Sequence, residues 1–269
     1  MNRLLLVVAA LARTTAVSGA ELAIDATLAP EERGRAIAVA AERLDDGFVD
    51  TITELNMTLR NAEGRERSRR LTWHTLEVIE PNEGDKSLTI FHEPRDIAGT
   101  AFLSYTHIEQ EDDQWMYLPS LKRVKRIAAS NISSAFVGSE FAYEDLLSDE
   151  TEKFDFLWLK DEPCGEWQCF VIERRPRYKS SGYLRQIVWF DQDELRPMRI
   201  EYFDREDRHK KSLEFEDYRL YLNRFWRSHV MRMQNHQTGK VTILQFGEFK
   251  FQTGLTDQDF DPSALRRLR

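Results

Sequence analysis

From Asp50 onward apolar side chains recur at every second position, with Leu55, Met57 and Leu59 in one run, Leu71 and Trp73 in the next, and Leu88 and Ile90 in a third. Successive side chains of a strand point to opposite faces, so this period predicts β-strands. Polar turn segments at 61–64 and 81–85 separate them. Further strands are predicted at 101–107, 114–118, 154–160, 169–175, 183–190, 198–203, 212–218, 226–233 and 241–251. Short polar turns such as Asp191-Gln192-Asp193 and Gln237-Thr238-Gly239 join several of them. Strands this numerous suggest one meandering antiparallel sheet curled into a barrel or half-barrel.

One segment has helical spacing instead. Over residues 30–46, Pro30 occupies the first turn, Glu31 and Glu32 lie by the positive end of the dipole, and Gly47 supplies the stop. Ile37, Ala40, Ala41, Leu44 and Phe48 fall three and four apart and make one apolar face. That face either covers the sheet or plugs a cavity in it. Residues 122–149 interrupt the alternation and predict a loop or short helices packed on the sheet. The tail at 262–269 predicts a short, frayed helix.

Several strands are apolar on both parities: Ile187 and Trp189 against Val188 and Phe190, and Val241, Ile243, Phe249 and Phe251 against Leu244 and Phe246. A sheet with one wet face alternates more cleanly. Both faces are therefore expected to be covered, by helices and loops or by apolar material held inside.

The first twenty residues change where this protein is expected to work. Met1-Asn2-Arg3 gives a positive start, Leu4 to Ala12 an apolar run, and Val17-Ser18-Gly19-Ala20 a small-residue exit, the layout of a secretory signal peptide. The run is well short of the roughly twenty residues that span a bilayer. Cleavage after Ala20 would leave residues 21–269 as one periplasmic domain, with Glu21 rather than a lipid-bearing cysteine at its head. Losing Arg3 and Arg13 would take the formal charge from −8 to −10, which argues against nucleic acid as a partner. In an oxidising compartment Cys164 and Cys169, the only cysteines, are expected to form a disulfide closing a strand-to-strand turn.

The histidines at 74, 92, 107, 209, 229 and 236 have no metal-ligand spacing, Gly138-Ser139-Glu140 lacks the second glycine of a nucleophile elbow, and no phosphate-binding glycine loop is present. No enzymatic activity, cofactor or metal is expected. A basic stretch, Lys122-Arg123-Val124-Lys125-Arg126, stands out in an acidic chain. Lys122, Arg123, Lys125 and Arg126 are candidates for docking an acidic partner.

The ordered motifs Asp96-Ile97-Ala98-Gly99-Thr100-Ala101-Phe102-Leu103, Gln114-Trp115-Met116-Tyr117-Leu118-Pro119-Ser120-Leu121, Val124-Lys125-Arg126-Ile127 and Phe136-Val137-Gly138-Ser139-Glu140-Phe141-Ala142-Tyr143-Glu144-Asp145 carry a likeness. The chain resembles the outer-membrane lipoprotein-sorting family related to the periplasmic carrier LolA and the receptor LolB, most densely over 95–146. The resemblance implies an unclosed β-barrel of about eleven strands wrapped around helices, with an apolar cavity for the acyl chains of a lipid or lipoprotein. It also implies an RND-type inner-membrane transporter as partner. On this reading the chain is a monomeric carrier, and Ile37, Leu44, Leu55, Met57, Leu59, Trp73, Leu103, Trp115, Tyr117, Trp189 and Ile243 are candidates to line the cavity. A protein-binding adaptor with no lipid cargo, docking through residues 122–126, is the alternative.

Overall fold

Residues 24–267 are described by the computed structural model; the expected signal peptide and its cleavage site lie outside them. Pro30 opens the one α-helix among the described residues, α1 (Pro30–Asp45), with Glu31 and Glu32 in its first turn. Its buried stripe runs through Arg33, Gly34, Ile37 and Ala38. Gly34 sets the distance of approach to the sheet: a Cβ there would lie 2.7 Å from the backbone nitrogen of Trp158. The Arg33 guanidinium lies 4.0 Å from the centroid of the Trp158 ring and pairs with Asp161 at 3.1 Å.

The strands follow in two antiparallel meanders. The first comprises β1 (Asp50–Arg60), β2 (Glu66–Leu76), β3 (Glu83–Glu93), β4 (Ala101–His107), β5 (Asp113–Leu118) and β6 (Arg123–Arg126). The second comprises β7 (Phe154–Cys164), β8 (Trp167–Pro176), β9 (Tyr183–Asp191), β10 (Pro197–Asp204), β11 (His209–Tyr221), β12 (Phe225–Asn235) and β13 (Val241–Phe246), followed by β14 (Lys250–Phe251). Pairing of β1 with β13, in register from Leu55↔Phe246 to Arg60↔Val241, joins the meanders. The sheet order is β6-β5-β4-β3-β2-β1-β13-β12-β11-β10-β9-β8-β7, with β14 also on β1. Its end strands β6 and β7 do not meet, so the barrel stays unclosed.

Among the described residues fourteen strands replace the expected eleven or so. β6 lies in the stretch expected to be loop; its sequence, Arg-Val-Lys-Arg, has no apolar alternation because it is an exposed edge. The predicted strand at 241–251 is two strands. At Gly247 the backbone nitrogen donates to the Glu54 carbonyl at 2.8 Å, and the chain leaves the ladder before β14 returns to pair Thr51↔Phe251.

The concave face carries the larger core, in which Phe102, Phe136, Ile172 and Met233 are buried with Ile37 of α1. Residues 127–153 cross this face as four 3-10 turns, Ala129–Asn131, Phe136–Gly138, Tyr143–Leu146 and Thr151–Lys153. On the convex face Leu88, Ala101, Leu103 and Tyr117 pack against Phe260 and Leu265. The expected frayed tail is thus two 3-10 turns, Asp257–Phe260 and Ala264–Arg267, anchored by Leu265 and by the Tyr105 hydroxyl donating to the Phe260 carbonyl at 2.6 Å. Two separate covers explain the apolar residues on both parities of β3 to β5.

Cys164 and Cys169 form the disulfide at the β7–β8 turn, across a Cα separation of 5.8 Å. It fastens the register in which Glu162 faces Cys169 and Cys164 faces Trp167. Gly99, at φ 79°, donates its N–H to the Phe91 carbonyl and lies against Pro119, where a Cβ would come within 3.2 Å of Cγ.

Candidate functional site: a covered cavity on the concave face

The C-terminal half of α1 does not seal onto the sheet. Between them lies a cavity of about 850 Å3, within the roughly 300–1,000 Å3 typical of ligand pockets. Its interior is apolar because inward positions from distant strands converge: Phe156 of β7, Ile172 of β8, Phe190 of β9, Phe215 of β11, Met231 of β12 and Phe246 of β13. Ala38, Ala41 and Leu44 of α1 form the roof, and Trp73 of β2 flanks Phe246 with ring centroids 6.1 Å apart.

The rim is charged. The Glu150 carboxylate accepts from Ser148 Oγ at 2.6 Å, while Ser148 Oγ accepts the Asp85 N–H at 3.1 Å. Asp85 Oδ1 accepts the Val78 N–H at 3.0 Å, and Glu42 accepts the Thr151 N–H at 3.1 Å. Burial raises the pKa of Glu42 and Glu150 and pushes Asp85 up to about 7, where Glu150 adds to the effect. Arginines also stand at the rim. Arg174 pairs with Asp149, Arg227 with Asp45, and Arg196 with fully buried Asp191. The Arg196 guanidinium sits among the rings of Trp167, Tyr218 and Trp226 at 4.6 to 5.3 Å from their centroids. Glu77 accepts N–H bonds from Gly47 and Val49 and so fixes the link from α1 to β1.

An apolar chamber with a polar rim can hold the tail of an amphiphile and leave its head near water. Among the described residues no group of three or more His, Cys, Asp or Glu side chains is arranged to hold a metal ion, and no helix is long and apolar enough to cross a membrane.

The structure brings Leu44 and Trp73 to the cavity. Ile37, Leu55 and Met57 are buried in the core on the same face, and Leu59 packs against it. Leu103, Trp115 and Tyr117 are not brought to the cavity, but belong to the convex core under the C-terminal tail. Trp189 and Ile243 also point away from it. Their neighbours Val188, Phe190 and Leu244 face the concave core, and Trp189 Nε1 instead donates to Glu162 at 2.7 Å. Lys122, Arg123, Lys125 and Arg126 lie on or beside edge strand β6, exposed, with Arg126 paired to Asp113. Sequence reasoning missed Phe215, Met231, Phe246 and Phe249. Parity could have found three of them, since Phe215 shares a face with Leu213, Met231 with Met233 and Phe246 with Leu244, whereas Phe249 lies between strands and carries no such signal.

An open antiparallel sheet holding an apolar chamber under a helix defines a ligand-holding half-barrel. Solved structures place it more closely. A domain from Vibrio parahaemolyticus, provisionally assigned as an outer membrane lipoprotein-sorting protein, is 47% identical and superposes with a TM-score of 0.86 over 88% of this chain and 100% of its own. A DUF1329 family protein from Desulfovibrio piger is 28% identical, with a TM-score of 0.83 over 88% of this chain and 100% of its own. A LolA superfamily protein from Nitrosomonas europaea, 20% identical, shares the fold with a TM-score of 0.67 over 85% of this chain and 97% of its own. A family model described as that of an uncharacterized protein matches residues 83–267. No curated protein matches the chain. The chain belongs to the outer membrane lipoprotein-sorting family of the Vibrio domain, and it shares its fold with the LolA superfamily protein.

Proposed function

We propose that this protein is a non-enzymatic carrier that takes acyl chains of a lipid or lipoprotein into the concave cavity and moves them through the periplasm. The observation that carries this reading is the apolar chamber of about 850 Å3 between α1 and the sheet. Burial supplies the affinity, at about 0.8 kcal/mol per methylene removed from water, reduced by the cost of ordering the chain. The rim carboxylates and arginines remain for the head group, and release requires α1 to move. An RND-type inner-membrane transporter is a fitting donor or acceptor, with the basic residues 122–126 on the free β6 edge as its docking surface. The adaptor reading, with no cargo, needs a chamber filled by its own side chains; an open one favours cargo.

The test is mass spectrometry of organic extracts from natively purified protein, with uptake of a fluorescent fatty acid by the emptied protein. Co-purifying lipid and saturable uptake are expected, and Met231→Arg, which places a charge in the chamber, should weaken uptake at least tenfold. Absence of both lipid and uptake would overturn the proposal. Arg123→Glu with Lys125→Glu should leave uptake unchanged, because the β6 edge lies outside the chamber lining.

A further inference from the structure

The motif Phe136 to Asp145 lines none of the acyl chamber, yet it builds one wall of a second cavity. This cavity, about 270 Å3, lies at the other end of β11 and β12, between the motif loop and the β12–β13 hairpin. Leu213, Met233 and Leu244, all buried, stand at the inward positions of β11, β12 and β13 between the two chambers. Its lining is mixed: Ala135, Phe141 and Ala142 contribute apolar surface, Lys210, Lys211 and Lys240 stand with a single carboxylate, Glu140, and Ser139 and Thr238 supply hydroxyls.

The polar frame is held in place. Asn235 Oδ1 accepts the N–H groups of Gln237 and Thr238 at 3.0 and 3.1 Å, and its amide donates to Glu140 at 2.7 Å. The Lys211 ammonium, 2% exposed, donates to Asp145 and to the Glu140 carbonyl. That pairing consumes the charge of Lys211, and the neutral amide of Asn235 holds the Glu140 side chain in place without offsetting its charge. Lys210 and Lys240 have no ion pair among the described residues. The loop opposite them holds Val137 at φ 47° and Gly138 at φ 75°. A β-branched residue is a costly occupant of the left-handed region, and no Cβ contact crowds the Gly138 side of the cavity.

In a chain of net charge −8, a recess that sets two lysines without an ion pair against one carboxylate keeps an excess of positive charge, which together with its hydroxyl donors favours an anion. We propose that this second cavity binds a compact anion of the phosphate class, at a site separate from the acyl chamber. Its source is either a free phosphate compound or the head group of a phospholipid, and the chemistry of recognition is the same for both.

The experiment titrates full-length mature protein at low ionic strength with inorganic phosphate by calorimetry, and in parallel measures co-sedimentation with phosphatidylglycerol vesicles. Lys210→Gln with Lys240→Gln changes partly or fully exposed side chains and leaves the buried Lys211–Asp145 pair intact, and circular dichroism checks its fold. Lys122→Gln with Lys125→Gln removes the same charge from the β6 edge. Saturable phosphate binding, weakened at least tenfold by the first pair and by less than twofold by the second, is the expected result. Vesicle binding lost in the first pair alone would identify a head group; phosphate binding without vesicle binding would identify a free compound. No saturable binding of either probe, or equal loss in both double variants, would overturn the proposal.

Discussion

Asp85 sits where ionising a carboxyl group is costly. Gly84 beside it has no side chain, and a Cβ there would lie 2.3 Å from Glu150 Oε1, so the 148–150 segment folds directly over the turn. Burial, reinforced by Glu150, then pushes the Asp85 pKa up to about 7. Glu144, behind the 3-10 turns, is also pushed to about 7, by burial and by Asp145. A carboxyl group with a raised folded-state pKa holds its proton more tightly in the folded chain than in the unfolded one. Its stabilising contribution is complete below about pH 4 and is lost as pH rises through about 7. The denaturation midpoint should therefore fall from about pH 4 to about pH 7, and Asp85→Asn should flatten that slope; an unchanged slope would sink the assignment. None of this was legible in the sequence, where residues 81–85 read only as a turn. The burial comes from a segment more than sixty positions away. Cys164 and Cys169 were legible, because their pairing is local to one hairpin.

Elements were easier to read than residues where the signal that starts or bounds them is local. β4 occupies the predicted 101–107, and α1 starts at the predicted Pro30, since alternation and helix-start chemistry are local signals. The reading failed where locality fails. β6 owes its place to hydrogen bonds with β5, from Leu118↔Arg123 to Trp115↔Arg126, and its own residues favour no face. Parity misled in β4 and β5, where the C-terminal tail makes a second core and so hides which apolar face is concave. The role of Gly34 was equally invisible, because only the docked helix shows the approach to Trp158. Gly34→Val should force α1 off β7 and lower stability by about 1–3 kcal/mol or more, read from urea unfolding, whereas exposed Glu31→Ala should cost less than about 1 kcal/mol. Equal effects would mean that the close approach is not what holds α1.

For the whole molecule, the chamber results from closing two meanders through β1 and β13 while leaving β6 and β7 apart. The openness was anticipated from the family resemblance alone, since the strand pattern left barrel and half-barrel equally open. The position of the chamber was not, since Phe156, Phe215 and Phe246 meet only through register set across the sheet. α1 is the mobile candidate: it packs mainly on β7, and its C-terminal half roofs the cavity instead of filling it. A ligand that binds only the folded state stabilises it by mass action, about 2.7 kcal/mol at a hundredfold excess over Kd, and that gain should concentrate where the ligand touches. Loading with a fatty acid should therefore slow amide hydrogen exchange in α1, in 146–151 and in 194–197. The convex core of β3 to β5 beneath Phe260 and Leu265 should change little. Uniform slowing would point to general stabilisation without a localised site, and slowing confined to the convex face would place the acyl chain on the wrong side of the sheet.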